Sequence, residues 1–588
     1  MKRLTFAIAT ALLCLAAQRH SFAGSATWGT NPLNGDWNTA ANWMPNTVPN
    51  GPSDVATFGM SDVTNLSINT TAAEVDRIVF NSGAAPFTIT VDSGNGIVNL
   101  FLTGAGVVNN SGVVQSLNGG GQAAIFMSNS ATAGNLTSFG ADGGGFVFTE
   151  SASAGSASFV VNSVGIFQAY LDFWDTSTAA EAAITVSNFG YASFGDFTTA
   201  ANAVFTAVAG GFLEFGTNST ADHAVATCSG APGTIGSGIV FTQFATAAQG
   251  RFTANGATTS SDAGSYIQFS DSTTAADAAF IISGGTVQDA AGAVMTFFGS
   301  ASAGNATITV NGGSGGGEGG TLFFNGQSDG GTASLALFGN GQLDIAGHGH
   351  RLLTVGSLEG DGLVFLGARA LAVGSNSGST TFSGIIQNGG SGGGTGGSLT
   401  KVGTGTLTLS SANTYTGGTT VTAGALKVSN TSGSGTGAGP VQVSAGTLGG
   451  KGIIAGAVTV GTGSGTGAFL EPSFGASKPT TLTIQSALTF KADGTYTYKL
   501  NTKRARADQV VANGVTIESG AEFSFTAVAN KRLTTGTVFT AISNTAAISI
   551  SGTFANLPDG SIFTVGRNNF QVSYSGGDGN DLTLTVVP

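Results

Sequence analysis

Asp172 and Asp175 are the acidic residues whose spacing most suggests carbohydrate chemistry, because they flank the pair Phe173-Trp174. Paired carboxylates serve as acid and base in glycoside cleavage, and a nearby aromatic ring can stack on a sugar. Residues three apart on one straight strand face opposite sides, however. We therefore interpret both acids as solvated turn residues, and we keep a sugar site on Asp172, Trp174 and Asp175 as the alternative.

Two pairs of residues have types and spacings that suggest metal or nucleophile chemistry. His348 and His350 are two apart, which would place both imidazoles on one face of a strand, where they could hold a metal ion. They have no third ligand nearby in the sequence, so we predict a solvated loop. Cys228 follows His223 by five residues, a pairing that could activate a thiolate. Both lie inside a repeat unit, so we predict a buried, inert thiol.

Residues 576–581 (GGDGND) resemble the first six positions of a calcium-binding nonapeptide. Thr583 stands where that motif has a large apolar residue, and the motif occurs once, whereas its ions bind between stacked copies. We predict no calcium site. The sequence as a whole predicts no catalytic, cofactor-binding or metal-binding residues and no cofactor, and we expect the chain not to be an enzyme.

The only dense run of basic residues contains Lys499, Lys503, Arg504 and Arg506. We place this run on an outward loop, and contact with a polyanion is a second interpretation. The net charge of −12 argues against an anionic polymer as ligand.

The composition excludes several classes of protein. Of the 588 residues, 95 are Gly and 9% are charged, whereas soluble domains carry about 25% charged residues. Lys and Arg are too few and dispersed for a nucleic-acid binder, and charged residues are too scarce for the faces of a helical bundle. The 40 Phe and 41% apolar residues argue against disorder, and 11 Pro with aperiodic Gly argue against collagen. A large β-rich protein remains.

The first 23 residues are predicted to be a secretory signal peptide. Lys2 and Arg3 give the positive start, residues 4–17 are apolar, and Ser21-Phe22-Ala23 forms a small-x-small cleavage site. No later segment has about 18 consecutive apolar residues, so we predict no transmembrane segment.

A repeat of 21 to 28 residues runs through the middle of the chain. Its template is an aromatic anchor, three mostly polar residues, two Ser, Thr or Ala, two small residues, one variable residue, and then Ala or Gly. The anchors are Met127, Phe148, Phe173, Phe194, Phe215, Phe241, Phe269, Phe297 and Phe324. Short runs after the anchors, such as residues 183–186 (AITV), alternate with period two, which indicates strands.

A unit this short cannot bury its apolar face alone and must stack on its neighbours. We therefore predict an all-β fold, a parallel β-helix, in which the anchors form an internal ladder with about 4.8 Å between coils. A set of β-sandwiches is the alternative, but it gives no reason for the repeated unit.

Four segments are predicted along the chain: the signal peptide (1–23), an N-terminal cap (24–60), a β-solenoid with Phe-anchored repeats (61–390), and a second β-solenoid segment (391–588). Trp28, Trp37 and Trp43 lie in the predicted cap, which would cover the exposed first coil. A tryptophan-lined sugar platform is the alternative for these three side chains.

Residues 399–430 read LTKVGTGTLTLSSANTYTGGTTVTAGALKVSN and closely resemble the autotransporter-associated β-strand repeat of bacterial exported proteins. Residues 441–460, 507–516 and 570–586 are similar to later strands of such proteins. The resemblance implies a right-handed β-helical passenger that is exported, and it does not imply an enzyme.

We therefore expect an exported β-solenoid with a structural, adhesive or extracellular-matrix role, outside the cell or at its surface, with the periplasm as the alternative location. Extracellular polysaccharide or cell-surface components are the expected partners, and nucleic acid is not. A polysaccharide-binding or polysaccharide-degrading β-helix is the alternative function. The sequence stops at Val587-Pro588 without the translocator barrel that the resemblance implies. We therefore expect separate export machinery, and a barrel or sorting tail lost after Pro588 is a further interpretation.

Overall fold

The structure is a computed structural model that describes residues 24–69, 72–92, 97–231, 233 and 235–588. The predicted signal peptide at 1–23 lies outside the described residues. The regular structure is almost entirely β-strand, and the one helix among the described residues is a short 3₁₀ helix at Ala40–Asn42. No helix in this part of the chain is long and apolar enough to cross a membrane.

The chain divides into two compact units. The first unit consists of Met1–Thr206 and Gly211–Val225, and the second consists of Ala207–Gly210 and Ala226–Pro588. This division does not test the four predicted segments, and the boundary near residue 390 stays a prediction.

The first unit contains two sheets. One complete turn of the chain is called a coil here, and a coil typically contributes one strand to each sheet. Sheet 1 contains Ala26–Trp28, Trp43–Met44, Gly51–Phe58, Ala73–Phe80, Asn99–Asn109, Ala124–Met127, Gly145–Phe148, Tyr170–Phe173, Tyr191–Phe194 and Phe212–Phe215. Sheet 2 contains Asn65–Ile68, Thr88–Val91, Gln115–Gly120, Thr137–Asp142, Ser158–Asn162 and Ala183–Ser187. The strands Val204–Ala207 and Val225–Cys228 straddle the division between the units.

The second unit contains four sheets. Sheet 3 contains Gly238–Phe241, Tyr266–Phe269, Val294–Phe297, Thr321–Phe324, Gln342–Asp344, Leu363–Phe365 and Ile385–Gln387. Sheet 4 contains Arg251–Ala254, Ala279–Ile282, Thr307–Val310, Ser334–Leu337, Ser357–Gly360, Thr380–Phe382, Thr406–Leu409, Ala425–Val428, Gly446–Gly450, Ala468–Glu471, Gly494–Asn501, Arg506–Ala507 and Glu522–Val528.

Sheets 5 and 6 complete the second unit. Sheet 5 contains Leu352–Val355, Ala370–Val373, Ser398–Lys401, Thr419–Val421, Val441–Val443, Val458–Val460, Leu488–Phe490 and Val515–Ile517. Sheet 6 contains Ile453–Ile454, Thr481–Ile484, Gln509–Ala512, Val538–Asn544, Ile562–Val565, Asn568–Gly576 and Asp581–Val587. Neighbouring coils pair in parallel and in register, for example Phe173 with Phe194 and Leu407 with Leu426. The predicted parallel β-solenoid is confirmed.

The anchor residues end the strands of sheets 1 and 3 and point inward, as predicted. In the first unit the rings of Phe173 and Phe194 stack with centroids 4.6 Å apart and planes 6° apart. In the second unit the rings of Phe241 and Phe269 stack at 4.4 Å and 4°. Each ring is fully buried, so the repeated aromatic position builds a continuous hydrophobic ladder within each unit.

The small and hydroxyl residues of the repeat form the corner that follows each anchor. In the first unit the hydroxyl of Thr178 accepts a hydrogen bond of 3.0 Å from the backbone N–H of Ala180, whose φ is +50°. Thr199 and Ala201 repeat this arrangement one coil later, at 3.0 Å and +49°. The hydroxyl thus stabilises a left-handed backbone that alanine otherwise disfavours, which explains why Ser or Thr recurs two residues before it.

The predicted N-terminal cap is packed around its tryptophans. Trp28, Trp37 and Trp43 are at most 1% exposed, and the ring of Trp43 contacts that of Trp37 at 4.9 Å and that of Trp28 at 5.0 Å. Trp43 also packs on Phe58. Buried rings cannot stack on a sugar, so the alternative of a tryptophan-lined platform is wrong.

Antiparallel strands occupy the other end of the chain. Asn568–Gly576 pairs antiparallel with Ile562–Val565 and with Asp581–Val587, and the latter pairs antiparallel with Val538–Asn544. The segment 570–586 therefore belongs to antiparallel strands, which cover a sheet edge that a parallel stack would leave open.

Candidate functional sites

The two acids singled out in the sequence lie in different surroundings. Asp172 points outward from the strand Tyr170–Phe173 and is half-buried, so its interpretation as a solvated turn residue is wrong. Asp175 is exposed and lies in the corner after Phe173, with a φ of +58°. The half-buried ring of Trp174 lies over Gly195 in the next coil. The ring of Trp174 covers the backbone that Gly195, lacking a side chain, would leave exposed. This gives the ring a structural role.

Asp172 belongs to a polar column on the outer face of sheet 1. The register places it next to Ser193, and Ser193 next to Glu214. The hydroxyl of Ser193 donates a 2.6 Å hydrogen bond to Asp172. Burial raises the pKa of Asp172 to about 6; the Ser193 hydrogen bond opposes this rise, and the charge of Glu214 adds to it.

Sequence reasoning missed Ser193 and Glu214, although a signal for them existed. Each residue immediately precedes an anchor, as Asp172 does, so aligning the anchors Phe173, Phe194 and Phe215 places the three polar side chains in one column. Aligning the anchors likewise predicts a column of Tyr170, Tyr191 and Phe212 beside it.

The aromatic column packs against itself and against the sheet. The rings of Tyr191 and Phe212 stack with centroids 6.2 Å apart and planes 13° apart. The Tyr170 ring lies over Gly145, where a Cβ atom would clash with it. Tyr191 and Phe212 thus cover a face of each other, and Tyr170 covers the backbone at Gly145, so these contacts help to pack the sheet.

Asp175 belongs to a ladder of corner residues whose carboxylates link successive coils. A carboxylate oxygen of Asp175 accepts a 2.8 Å hydrogen bond from the backbone N–H of Glu150. Asp196 accepts a 3.2 Å bond from the N–H of Asp175, and Glu150 accepts one from the N–H of Asn129. These acids hold the backbone of the preceding coil, so their role is structural.

The two histidines lie next to each other but differ in their burial. His348 is buried, with Nε2 2.8 Å from the carbonyl oxygen of Ser328 and Nδ1 3.0 Å from that of His350. The His350 side chain is exposed. Both ring nitrogens of His348 are engaged with backbone, and the predicted solvated loop is wrong for this residue. Among the described residues, no group of three or more His, Cys, Asp or Glu could hold a metal ion.

The thiol and the calcium-like segment also have structural roles. Cys228 is fully buried, and burial raises the pKa of its thiol to about 12, so the thiolate is unavailable as a nucleophile. Residues 576–581 form the bend between two antiparallel strands, where Gly576 pairs with Asp581. A carboxylate oxygen of Asp581 accepts a 2.9 Å bond from the N–H of Asn544.

The basic run is divided between a strand and a turn. Lys499 is half-buried in the strand Gly494–Asn501, and its Nζ lies 3.5 Å from Glu471. Lys503 and Arg504 are exposed on the turn that follows, as predicted, and Arg506 is exposed at the start of the strand Arg506–Ala507. The predicted outward loop is wrong for Lys499, which lies in a strand.

The segment 399–430 uses its polar residues to join coils. The Asn413 side chain accepts a 2.7 Å bond from the N–H of Ile386 in the preceding coil and donates one of 2.7 Å to the carbonyl of Gly435 in the following coil. Tyr415 is buried with its hydroxyl 2.6 Å from that of Thr419.

Lys401, in the same segment, binds backbone carbonyls of its own corner. Its side chain is buried, and its Nζ donates to the carbonyl oxygens of Val402 and Gly403 at 2.5 and 2.9 Å. Burial lowers its pKa to about 8. The polar residues of this segment therefore satisfy backbone groups at corners and show no arrangement for catalysis.

Residues 399–428 match the passenger-associated-transport-repeat. The match confirms the resemblance predicted from residues 399–430. Six solved chains match significantly, whereas the curated proteins give no significant match. One solved structure that is similar is the Hap adhesin of Haemophilus influenzae, at 12% identity and a TM-score of 0.27, over 91% of this chain and 64% of the adhesin. The chain thus spans less than two thirds of that adhesin.

Proposed function

We propose that this chain is an exported passenger-type β-solenoid with a structural, adhesive or extracellular-matrix role, and that it does not act by catalysis. The observation that carries the proposal is the passenger-associated-transport-repeat at residues 399–428 within a stack of parallel coils. The predicted signal peptide supports export, and separate machinery would take the chain across the outer membrane. Extracellular polysaccharide and cell-surface components are the proposed partners.

Several candidate residues bind backbone groups of neighbouring coils, which supports a structural role. Asp175, His348 and Asn413 each hydrogen-bond to backbone of a neighbouring coil. Such bonds fix the register between coils in a fold where each coil contacts only its neighbours.

A polysaccharide-degrading β-helix is the second candidate, and one observation favours it. Asp172 and Glu214 lie two coils apart on one face, so their α-carbons are about 10 Å apart, and the pKa of Asp172 is raised to about 6. Inverting glycoside cleavage requires a carboxyl group with a raised pKa, which acts as the acid, and a second carboxylate, which acts as the base.

A turnover assay separates the two candidates. The purified chain is incubated with neutral and acidic polysaccharides, and reducing ends and unsaturated products are measured. We expect no product above a boiled control. Product formation that is lost in both Asp172→Asn and Glu214→Gln would overturn the structural proposal in favour of the enzyme.

A further inference from the structure

Three neighbouring turns near the end of the second unit, which are separated in the sequence, carry six basic side chains. All six are exposed. This set, the basic patch, consists of Lys503, Arg504, Arg506, Lys531, Arg532 and Arg567. Only the first three belong to the basic run visible in the sequence, so the patch is a product of the fold.

Hydrogen bonds fix the three turns against one another. The backbone N–H of Lys531 donates to the hydroxyl of Thr502 at 3.0 Å. The N–H of Arg567 donates to the side chain of Asn530 at 3.1 Å. Asn568 donates to the carbonyl of Lys531 at 3.0 Å. The basic side chains therefore project from adjoining, mutually anchored turns rather than from independent loops.

The first of the three turns is a tight hairpin that directs its charges outward. Asn501 pairs antiparallel with Arg506, and the N–H of Arg504 donates to the side chain of Asn501 at 3.1 Å. Ala505 takes a φ of +48°. Since this hairpin is only a few residues long, Lys503, Arg504 and Arg506 have no room to fold back into the core.

The patch concentrates positive charge in an acidic protein. The sequence has only 19 Lys and Arg against 31 Asp and Glu, yet six of those cations meet here. Within the part of the chain that the structure describes, none of the six forms an ion pair with a carboxylate. The neighbouring Lys499, by contrast, lies 3.5 Å from Glu471. Like charges placed together repel one another. Binding of an anionic partner would relieve this repulsion.

We propose that the basic patch binds an anionic polysaccharide through its sulfate, phosphate or carboxylate groups. Four of the six side chains are Arg, whose planar guanidinium forms paired hydrogen bonds with such groups. The adjoining turns present several cations close together, which suits an extended polymer with repeated charges better than one small ion. The choice of a polysaccharide rests on the proposed export, because a cell-surface protein meets charged glycans.

The test measures binding of the purified full chain to heparin, a sulfated polysaccharide, and to dextran sulfate, with neutral dextran as the uncharged probe. The patch variant R504Q/K531Q/R567Q removes one cation from each turn. The control variant R251Q/R351Q/K451Q removes two Arg and one Lys that are exposed elsewhere in the second unit, so both variants have the same net charge. The charge-preserving variant R504K/K531R/R567K checks that the sites tolerate substitution.

We expect the wild-type, control and charge-preserving chains to bind heparin and dextran sulfate but not neutral dextran. We expect the patch variant to bind both at least about tenfold more weakly and with a shallower salt dependence. An equal loss in the patch and control variants would overturn the proposal, as would absence of heparin binding by the wild type at low salt. Equally tight binding of duplex DNA would overturn the choice of polysaccharide.

The binding test and the test of the proposed function can fail independently. Binding is measured on purified protein, whereas export is measured by location in cells. A chain that binds heparin through the patch but remains shielded in the periplasm would keep the site and remove the surface role.

Discussion

At the scale of the residue, polar side chains in this protein mostly satisfy backbone groups of a neighbouring coil. Asp175, Asn413 and His348 all do so. Asp172 differs, because its side chain bonds Ser193 on the outer face of the sheet and lies two coils from Glu214. Placing a carboxylate in this half-buried position costs free energy, since desolvation disfavours its charged form.

This environment makes a prediction about pH. The folded pKa of Asp172, about 6, lies above its ordinary value of 3.8, so the folded chain retains a proton that the unfolded chain has lost. Asp172 therefore contributes stability that is complete below about pH 4 and is lost as the pH rises through about 6. We expect Asp172→Asn to be more stable than wild type at pH 7, by roughly 1–3 kcal/mol.

Urea unfolding of both chains at pH 4 and at pH 7 checks this prediction. The difference between the chains should shrink at pH 4, where Asp172 in the folded wild type is protonated and uncharged. Tyr170, Tyr191 and Glu214 face the same site and are present in both chains. A destabilised Asn variant at pH 7 would contradict the desolvation account.

At the scale of the element, the strand-end anchor and the corner after it form the repeating unit. The anchor supplies a buried ring, and the hydroxyl two residues before the left-handed corner residue stabilises the bend. Phe194 is 1% exposed and stacks on Phe173 and Phe215, whereas Phe197, three residues later, is 69% exposed. The same residue type therefore has opposite roles within one coil.

This contrast provides a matched pair of variants. We expect Phe194→Ala to destabilise the surrounding coils by about 3–5 kcal/mol, because it leaves a cavity in the ladder. We expect Phe197→Ala to change stability by less than about 0.5 kcal/mol. Hydrogen exchange of the strands in sheet 1, together with the melting temperature, measures both effects. Equal losses in the two variants would show that the ladder does not stabilise the stack.

Sequence periodicity predicts these elements well because every coil must bury the same kind of apolar face against its neighbours. The anchors, the alternating strands and the small corner residues recur, so the parallel stack within each unit can be predicted without any long-range information. Partners in other coils are harder to predict. Ser193 and Glu214 become visible only once the anchors are aligned, and the burial of His348 depends on Ser328, a residue outside its own loop.

At the scale of the molecule, the chain divides into two compact units of stacked coils. The second unit carries a local excess of exposed positive charge. Sequence alone could indicate Lys503, Arg504 and Arg506, but not their proximity to Lys531 and Arg567, because that depends on how the last coils stack. The passenger-associated-transport-repeat supports the proposal that the chain is exported.

The location of the chain in its native host tests the central claim of export to the cell surface most directly. Fractionation combined with protease treatment of intact cells measures it, with a known periplasmic protein as the control for cell integrity. We expect the chain in the medium or on the surface, where protease added to intact cells cleaves it. A chain that stays in the periplasm and is shielded from protease would contradict the adhesive and matrix role.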